Sequence, residues 1–200
     1  ELAVMVARNV GGECKAYSAV EMRFHAEDNV LDFLLAPAEV PEAVARAAEE
    51  LAVRTVEAME GVGVFGVEMF LTPEGGLLVN EVAPRTHNSG HHTIEACVTD
   101  QFEQHLRAII GLPLGSTDLL SPAAMVNLLG APGKSGRPVI KGMAAALAIP
   151  GVCIHIYGKA RTTPFRKMGH VTVLDPDIQK AREKAERVRE LITITAEDKT

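Results

Sequence analysis

The fold is decided by the stretch Glu68–His92, which reads EMFLTPEGGLLVNEVAPRTHNSGHH. Two runs rich in β-forming residues, Val62–Thr72 and Leu77–Ala83, flank a Pro-Glu-Gly-Gly turn, so the stretch predicts a β-hairpin. A long polar segment follows the second strand at once. We expect the rest of the chain to be organised around this hairpin.

The register of the hairpin predicts two acidic residues face to face. With a symmetric turn Thr72 faces Leu77, and counting back along both strands brings Glu68 opposite Glu81. Facing Cβ atoms are roughly 5 Å apart, where two carboxylates repel by about 3 kcal/mol at an effective dielectric of 20. A divalent cation between them would turn repulsion into binding, and such hard oxygen ligands favour magnesium or manganese. The alternative is that one acid faces solvent and the pair never meets.

The segment after the hairpin, Arg85–His92, is too polar to be core. It offers a guanidinium, imidazoles, an amide and a hydroxyl, all able to donate to a small oxyanion. A zinc site at His87, His91 and His92 is the alternative. The Asn-Ser-Gly between the histidines argues against the helix that this spacing would need.

Composition limits the classes of protein that the chain can represent. Its 200 residues, 47% hydrophobic, suffice for one substantial domain or two small ones, and a net charge of −6 does not favour a nucleic-acid surface. Three cysteines without a CxxC pattern indicate reduced thiols of a cytoplasmic protein. The sequence has no membrane-spanning apolar run or signal peptide. Because it starts at Glu1 without methionine, inside a predicted strand, we expect a preceding segment.

Further strands and helices are predicted on both sides of the hairpin. The predicted strands are Glu1–Arg8, Glu13–Met22, Ala123–Leu129, Val152–Tyr157 and Val171–Leu174, and the predicted helices are Pro41–Glu60, Asp100–Ile110, Lys141–Ala148 and Asp177–Ile192. On the second helix, Gln101 and Gln104 are expected to face solvent, whereas His105 or Arg107 could reach the site. Leu114–Pro122 is linker-like and marks a possible boundary.

A basic loop lies between two of these strands. Gly158–His170 contains no acid and five potential cations, which are Lys159, Arg161, Arg166, Lys167 and His170. Such a loop is typical of a phosphate-monoester site. A merely solvated surface is the alternative, and nucleic acid is disfavoured because Phe165 is the one aromatic residue in the loop and the chain is acidic.

Residues 80–91, NEVAPRTHNSGH, resemble the signature of the 5-(carboxyamino)imidazole ribonucleotide synthetase family, ATP-grasp enzymes of bacterial and fungal purine biosynthesis. The similarity continues at 93–97, 101–108, 111–115, 157–159 and 166–170. The resemblance implies an α+β fold: the C-terminal lobe of an ATP-grasp domain, an antiparallel sheet with packed helices, over residues 1–115. A small α/β C-terminal domain over residues 116–200 would follow.

The resemblance also implies a role for each site residue. It assigns magnesium (or manganese) to Glu68 and Glu81, the nucleotide to Glu1, His25, Asn80 and Glu81, bicarbonate or carboxyphosphate to Arg85, His87, Asn88 and Ser89, and the ribonucleotide phosphate to Lys159, Arg166 and Lys167. The implied reaction carboxylates aminoimidazole ribonucleotide with bicarbonate and ATP. The family implies a cytoplasmic homodimer.

Two other functions stay open at this point. One is a different ATP-grasp carboxylase or ligase, which would share the facing carboxylates and differ at Arg85–Ser89. The other is a nucleotide-binding module without catalysis. Since no glycine-rich phosphate loop precedes Glu68, we expect these 200 residues alone to be inactive.

Overall fold

The computed structural model of the chain describes residues 1–24 and 31–197, and the predicted nucleotide contact His25 lies outside these ranges. The strands are β1 (Leu2–Arg8), β2 (Cys14–Ala16), β3 (Val20–Phe24), β4 (Leu31–Ala36), β5 (Gly63–Leu71), β6 (Leu77–Ala83), β7 (Ala123–Leu129), β8 (Pro138–Lys141), β9 (Val152–Ile156), β10 (Lys167–Leu174) and β11 (Thr193–Ala196). The helices are α1 (Glu42–Met59), α2 (Thr93–Ala96), α3 (Gln101–Ile109), α4 (Met143–Leu147) and α5 (Ile178–Leu191). A 3-10 turn spans Asn88–Gly90.

Nine of these strands form one antiparallel sheet in the order β6-β5-β1-β3-β4-β7-β10-β9, with β2 also paired to β1. The α+β prediction with an antiparallel sheet is therefore confirmed. Strand β7 pairs with β4, so the sheet continues across the linker-like stretch Leu114–Pro122. Strands β8 and β11 form a separate two-stranded sheet that the sequence pattern did not predict.

The two faces of the large sheet are covered differently. On one face, α1 packs on β1 and β5 and α5 packs on β4, β7 and β10, burying the apolar side chains of these strands. On the other face, Ala96 of α2 packs against Leu34 and Met125, and Ala108 of α3 packs against Met5. The candidate site lies on this second face.

Two helices begin at an aspartate cap. The Asp100 side chain accepts hydrogen bonds from the backbone N–H groups of Phe102 and Glu103 at the start of α3. Asp177 caps α5 in the same way. Two strand predictions need correction, because Glu13–Met22 is broken into β2 and β3 and because β10 begins at Lys167, inside the predicted basic loop. Within the described residues, no helix has the length and apolarity to cross a membrane.

Candidate active site

The β5–β6 hairpin brings Glu68 opposite Glu81, as predicted. The predicted pairing of Thr72 with Leu77 is wrong, because Leu71 pairs with Leu77. The turn holds five residues, and Thr72 closes it: its N–H donates to the Gly76 carbonyl (2.8 Å) and its hydroxyl accepts from the Gly76 N–H (3.1 Å). A register shift follows, since Met69 pairs with Val79 and Glu68 with Glu81, which leaves Asn80 as an extra, exposed residue.

The carboxylate of Glu68 lies in an environment that disfavours its charge. Burial raises its pKa first, and the charges of Glu81 and Glu1 raise it further, while Lys167 opposes them. Glu81 is exposed, and Glu68 is partly buried. A cation between the two carboxylates would therefore be favoured electrostatically.

The loop after β6 approaches β5 so closely that only glycine fits at position 66. A Cβ atom on Gly66 would lie 2.8 Å from the Cβ of His87 and 2.9 Å from its Cγ. His87 Nε2 is 3.7 Å from Glu68 Oε1, and its Nδ1 is 2.9 Å from the Ser89 hydroxyl. Burial, then Arg85 and Lys167, lower the pKa of His87. The ring is therefore neutral at pH 7, and its contact with Glu68 is not an ion pair.

A buried glutamine holds this loop in place. The His87 N–H donates to Gln101 Oε1 (2.8 Å), and Gln101 Nε2 donates to the His87 carbonyl (2.9 Å) and to His91 Nδ1 (3.0 Å). A Cβ on Gly90 would lie 2.5 Å from Gln101 Oε1, so the backbone passes directly over the amide. Gln101 thus fixes both polar groups of the His87 backbone.

The prediction of a solvated glutamine face on α3 is wrong, because Gln101 and Gln104 are both fully buried. Gln104 makes a matching pair of hydrogen bonds with the backbone of Gly115. His105 Nδ1 accepts from the Val64 N–H, and Arg107 pairs with a glutamate on its own helix. Polar side chains at these positions satisfy backbone groups of loops and a strand that would otherwise be buried without partners.

The other loop residues have distinct surroundings. Arg85 is exposed and donates to the Thr86 carbonyl (3.0 Å). Ser89 is fully buried between His87 and the Met5 sulfur. Asn88 makes reciprocal amide hydrogen bonds with Asn127 of β7, 2.9 Å from Asn88 Nδ2 to Asn127 Oδ1 and 3.2 Å in the other direction. Sequence reasoning missed Asn127, whose only signal was one polar residue in an otherwise apolar strand.

The three predicted phosphate-binding cations, Lys159, Arg166 and Lys167, each have a different partner in the structure. Lys167 Nζ is 3.4 Å from Asn88 Oδ1, and burial lowers its pKa while Glu68 opposes that shift. Lys159 Nζ donates to the Lys167 carbonyl (2.5 Å). The exposed Arg166 donates to the Arg161 carbonyl within the basic loop (2.8 Å). Lys167 is thus the cation that contacts the loop Arg85–His92.

The zinc alternative finds no support in the described part of the chain. No group of three or more histidine, cysteine, aspartate or glutamate residues there is arranged to hold a metal ion. His92 is buried with Nδ1 bonded to the Ser89 carbonyl (2.9 Å), and His91 Nδ1 bonds Gln101. Two facing carboxylates suit magnesium, which takes one or two carboxylates and completes its shell with water and substrate phosphates.

Known proteins resemble both parts of the chain. The ATP-grasp domain family matches residues 1–102, and the phosphoribosylaminoimidazole carboxylase C-terminal domain family matches residues 123–184. The N5-carboxyaminoimidazole ribonucleotide synthase of Bacillus subtilis is 45% identical over 174 residues, which are 87% of this chain and 44% of that protein.

Solved structures agree with this assignment. The N5-carboxyaminoimidazole ribonucleotide synthetase of Thermotoga maritima has a TM-score of 0.91 and 56% identity, over 98% of this chain and 52% of that one. The Aspergillus clavatus N5-carboxyaminoimidazole synthase, crystallised with ADP and 5-aminoimidazole ribonucleotide, has a TM-score of 0.85 and 38% identity, over 95% and 50% of the chains. The chain spans about half the length of these relatives. It therefore belongs to the ATP-grasp family, and it carries the C-terminal domain found in phosphoribosylaminoimidazole carboxylases.

Proposed function

We propose that the chain is part of an enzyme that carboxylates 5-aminoimidazole ribonucleotide with bicarbonate and ATP, in the synthesis of purines. Bicarbonate is a poor electrophile. Transfer of the γ-phosphoryl group to a bicarbonate oxygen gives carboxyphosphate and ADP, the exocyclic amine then attacks the carboxyl carbon, and phosphate leaves. One observation carries the proposal: of the adjacent loop residues His87 and Asn88, the first lies 3.7 Å from Glu68, which faces Glu81, and the second lies 3.4 Å from Lys167.

The facing carboxylates would hold magnesium, or manganese, together with the nucleotide phosphates. The cation would neutralise charge that develops on the transferring phosphoryl group. The charge of Glu1 contributes to the raised pKa of Glu68, and Glu1 would contact the nucleotide. Asn80, exposed at the bulge, presents an amide on the neighbouring strand.

The loop Arg85–Ser89 would hold bicarbonate and then carboxyphosphate. The exposed Arg85 guanidinium can bind an oxyanion in a bidentate manner. A neutral His87 can donate one hydrogen bond without bringing a second full charge to the site. Ser89 is buried against His87 Nδ1, so we propose that it acts through the imidazole.

Lys159, Arg166 and Lys167 would bind the ribonucleotide phosphate from the basic loop. Lys167 also contacts Asn88, so it would lie between this phosphate and the activated bicarbonate. The division of the chain at residues 115 and 116, the homodimer and the cytoplasmic location remain predictions. Sedimentation equilibrium would measure the state of association.

The experiment joins the chain to the segment that precedes the matching region in its relatives. Phosphate release from ATP and the carbamate product are measured with bicarbonate and aminoimidazole ribonucleotide, each alone and together. We expect product only when both are present. Turnover that needs neither, or that uses another acceptor, would favour a different ATP-grasp ligase, and nucleotide binding without turnover would favour a binding module.

A matched pair of variants separates the site from general charge effects. Arg85→Gln should lower product formation by about a hundredfold, because a transition-state donor is lost. Arg54→Gln, on α1 across the sheet, removes the same charge and should leave the rate unchanged. Equal rates for both variants would contradict the assignment of the loop.

A further inference from the structure

A row of polar side chains crosses three strands of the large sheet beside the candidate site. Asn127 of β7 pairs directly with His170 of β10, which pairs directly with His155 of β9. Directly paired residues point to the same side of a sheet, and here that side carries the loop Arg85–His92. We call Asn127, His170 and His155 the polar row.

Each member of the polar row contacts one residue of the segment Asn88–Glu95, which begins inside the loop Arg85–His92. Asn88 exchanges two amide hydrogen bonds with Asn127. The ring of His91 stacks on His170, with centroids 4.5 Å apart and planes within 15°. Glu95 Oε1 lies 2.5 Å from His155 Nε2. Three successive contacts therefore join the segment to three successive strands.

The matching spacing has a simple geometric cause. Residues 88, 91 and 95 lie on one side of a helical path made by the 3-10 turn and α2. Three to four helical residues rise about 5 Å, and neighbouring strands are about 4.8 Å apart. A helical segment that runs across the strands thus brings one side chain over each of them.

The row itself is rigidly packed. His155 also stacks on His170, at 4.5 Å and 12°, and the Tyr157 hydroxyl is 3.0 Å from His170 Nδ1. His170 is 2% exposed and Asn127 is 7% exposed. Two reciprocal amide hydrogen bonds in such buried surroundings restrict the rotamer of Asn88.

We propose that the polar row positions the loop Arg85–His92, and that Asn127 is the principal positioning residue of the row. Its hydrogen bonds hold Asn88 with Oδ1 towards Lys167 Nζ, and the contacts of His91 and Glu95 prevent the loop from sliding along the sheet. The inference rests on the carboxylation proposed above, because it assigns Asn127 a part in that reaction through Asn88.

Kinetics of the chain joined to its preceding segment test this role. Asn127→Ala should lower kcat for carboxylation by on the order of tenfold to a hundredfold, as expected for a misplaced catalytic group, with the KM for ATP changed less than about twofold. In the Asn88→Ala background, the same substitution should have no further effect on kcat. Multiplicative losses in the double variant, or an unchanged kcat in the single one, would overturn the proposal.

Two more variants guard against loss of folding. Asn127→Leu keeps the branched shape of the side chain and removes both hydrogen bonds to Asn88, and it should lower kcat as Asn127→Ala does. Thr172→Val is the matched control, because Thr172 is buried on the same face of β10 and its hydroxyl has no partner in the described structure. It should leave kcat unchanged.

Nuclear magnetic resonance of the 200-residue chain tests whether Asn127 positions Asn88 by a measurement that does not depend on enzyme activity. The side-chain amide of Asn88 should exchange its protons slowly in the native chain and in Thr172→Val, and about tenfold or more faster in Asn127→Leu, which lacks the oxygen that accepts from Asn88. Equally fast exchange in all three would overturn the proposal. If the native enzyme forms no carbamate while Asn88 remains protected, the proposed function fails and the positioning contact stands.

Discussion

Glu68 lies directly opposite Glu81 although the turn that joins their strands shifts the register by one residue. The five-residue turn displaces the pairing at Leu71, and the bulge at Asn80 restores it before the two acids meet. Like charges in this position destabilise a sheet, and burial adds to the cost at Glu68. A hairpin that keeps the pair despite its turn is the arrangement expected for a cation site.

Replacement of Glu81 by glutamine should weaken magnesium binding and strengthen the fold. The variant loses an anionic oxygen ligand, so magnesium affinity in the presence of ADP should fall by about tenfold or more, with loss of magnesium-dependent turnover. The free energy of unfolding should stay equal or rise by up to about 1 kcal/mol, because the repulsion with Glu68 disappears. Calorimetric titration and urea unfolding measure the two effects.

Glu74→Gln provides the control for charge, since Glu74 is exposed in the turn of the same hairpin. It should leave both magnesium affinity and turnover unchanged. Native turnover in Glu81→Gln would remove the metal assignment.

Gln101→Leu and Gln104→Leu should both lower stability and should have different effects on activity. Gln101→Leu leaves the His87 N–H without a partner, while the His87 carbonyl still accepts from the Gly90 N–H; Gln104→Leu leaves both the N–H and the carbonyl of Gly115 without these bonds, at about 1–3 kcal/mol for each group. Gln101 holds the backbone of His87, whereas Gln104 holds that of Gly115. At a temperature where both variants are folded, only Gln101→Leu should have a lower specific activity than the native enzyme. Equal specific activities of the two variants would contradict this role of Gln101.

Local patterns in the sequence were sufficient to predict most strands and helices, and the facing of Glu68 and Glu81. The hairpin, the cap at Asp100 and the apolar strand β7 depend on neighbouring residues that the chain displays directly. The turn shows the limit. Thr72 belongs to the turn because its hydroxyl and backbone N–H bond to Gly76. The five-residue turn and the bulge at Asn80 shift the register in opposite directions, so the alternation of apolar residues shows neither of them.

What the sequence did not disclose depends on contacts between distant segments. Gln101 looks like a surface residue until the loop Arg85–His92 covers it, and Asn127 gains its meaning from Asn88, 39 positions earlier. In the sequence Lys167 resembles the other cations of the basic loop, and only its place in strand β10 brings it to Asn88 of the loop Arg85–His92. The role of a polar side chain at a buried position can be assigned only when the group to which it hydrogen-bonds is known.

Gly66→Ala should displace His87 and lower activity. The new Cβ would lie 2.8 Å from the Cβ of His87, so the loop must move, at about 1–3 kcal/mol for overpacking. We expect a loss of turnover on the order of a hundredfold, because His87 moves from its place beside Glu68. Gly11→Ala, in the β1–β2 turn, meets only the Asn9 side chain at 3.3 Å and should retain native turnover. If Gly66→Ala matches it, the close approach has no catalytic importance.

Stability should fall as the solution becomes acidic, because three histidines are buried in neutral form. Burial lowers the pKa of His91 and of His92 to about 4 and that of His170 to about 3. The unfolded chain takes up protons below its pKa of about 6.5, whereas the folded chain resists until near pH 4. Their contribution is therefore complete above about pH 6.5 and is lost as the pH falls towards 4, at up to about 1.4 kcal/mol per pH unit for each histidine. The raised pKa of Glu68 acts in the opposite direction.

Urea unfolding between about pH 7.5 and 4.5 measures this dependence. His170→Phe keeps an aromatic ring in the stack and removes one titrating group, so its stability should decline less steeply with acid than that of the native chain. His105→Phe is a poor control because its Nδ1 accepts from the Val64 N–H. Asp118→Asn, at an exposed position between α3 and β7, is preferable and should keep the native slope. A native stability that stays level from about pH 7 to 5 would mean that these histidines are protonated in the folded protein, which the burial of His92 and His170 and the stacking of His91 on His170 at 4.5 Å make unfavourable.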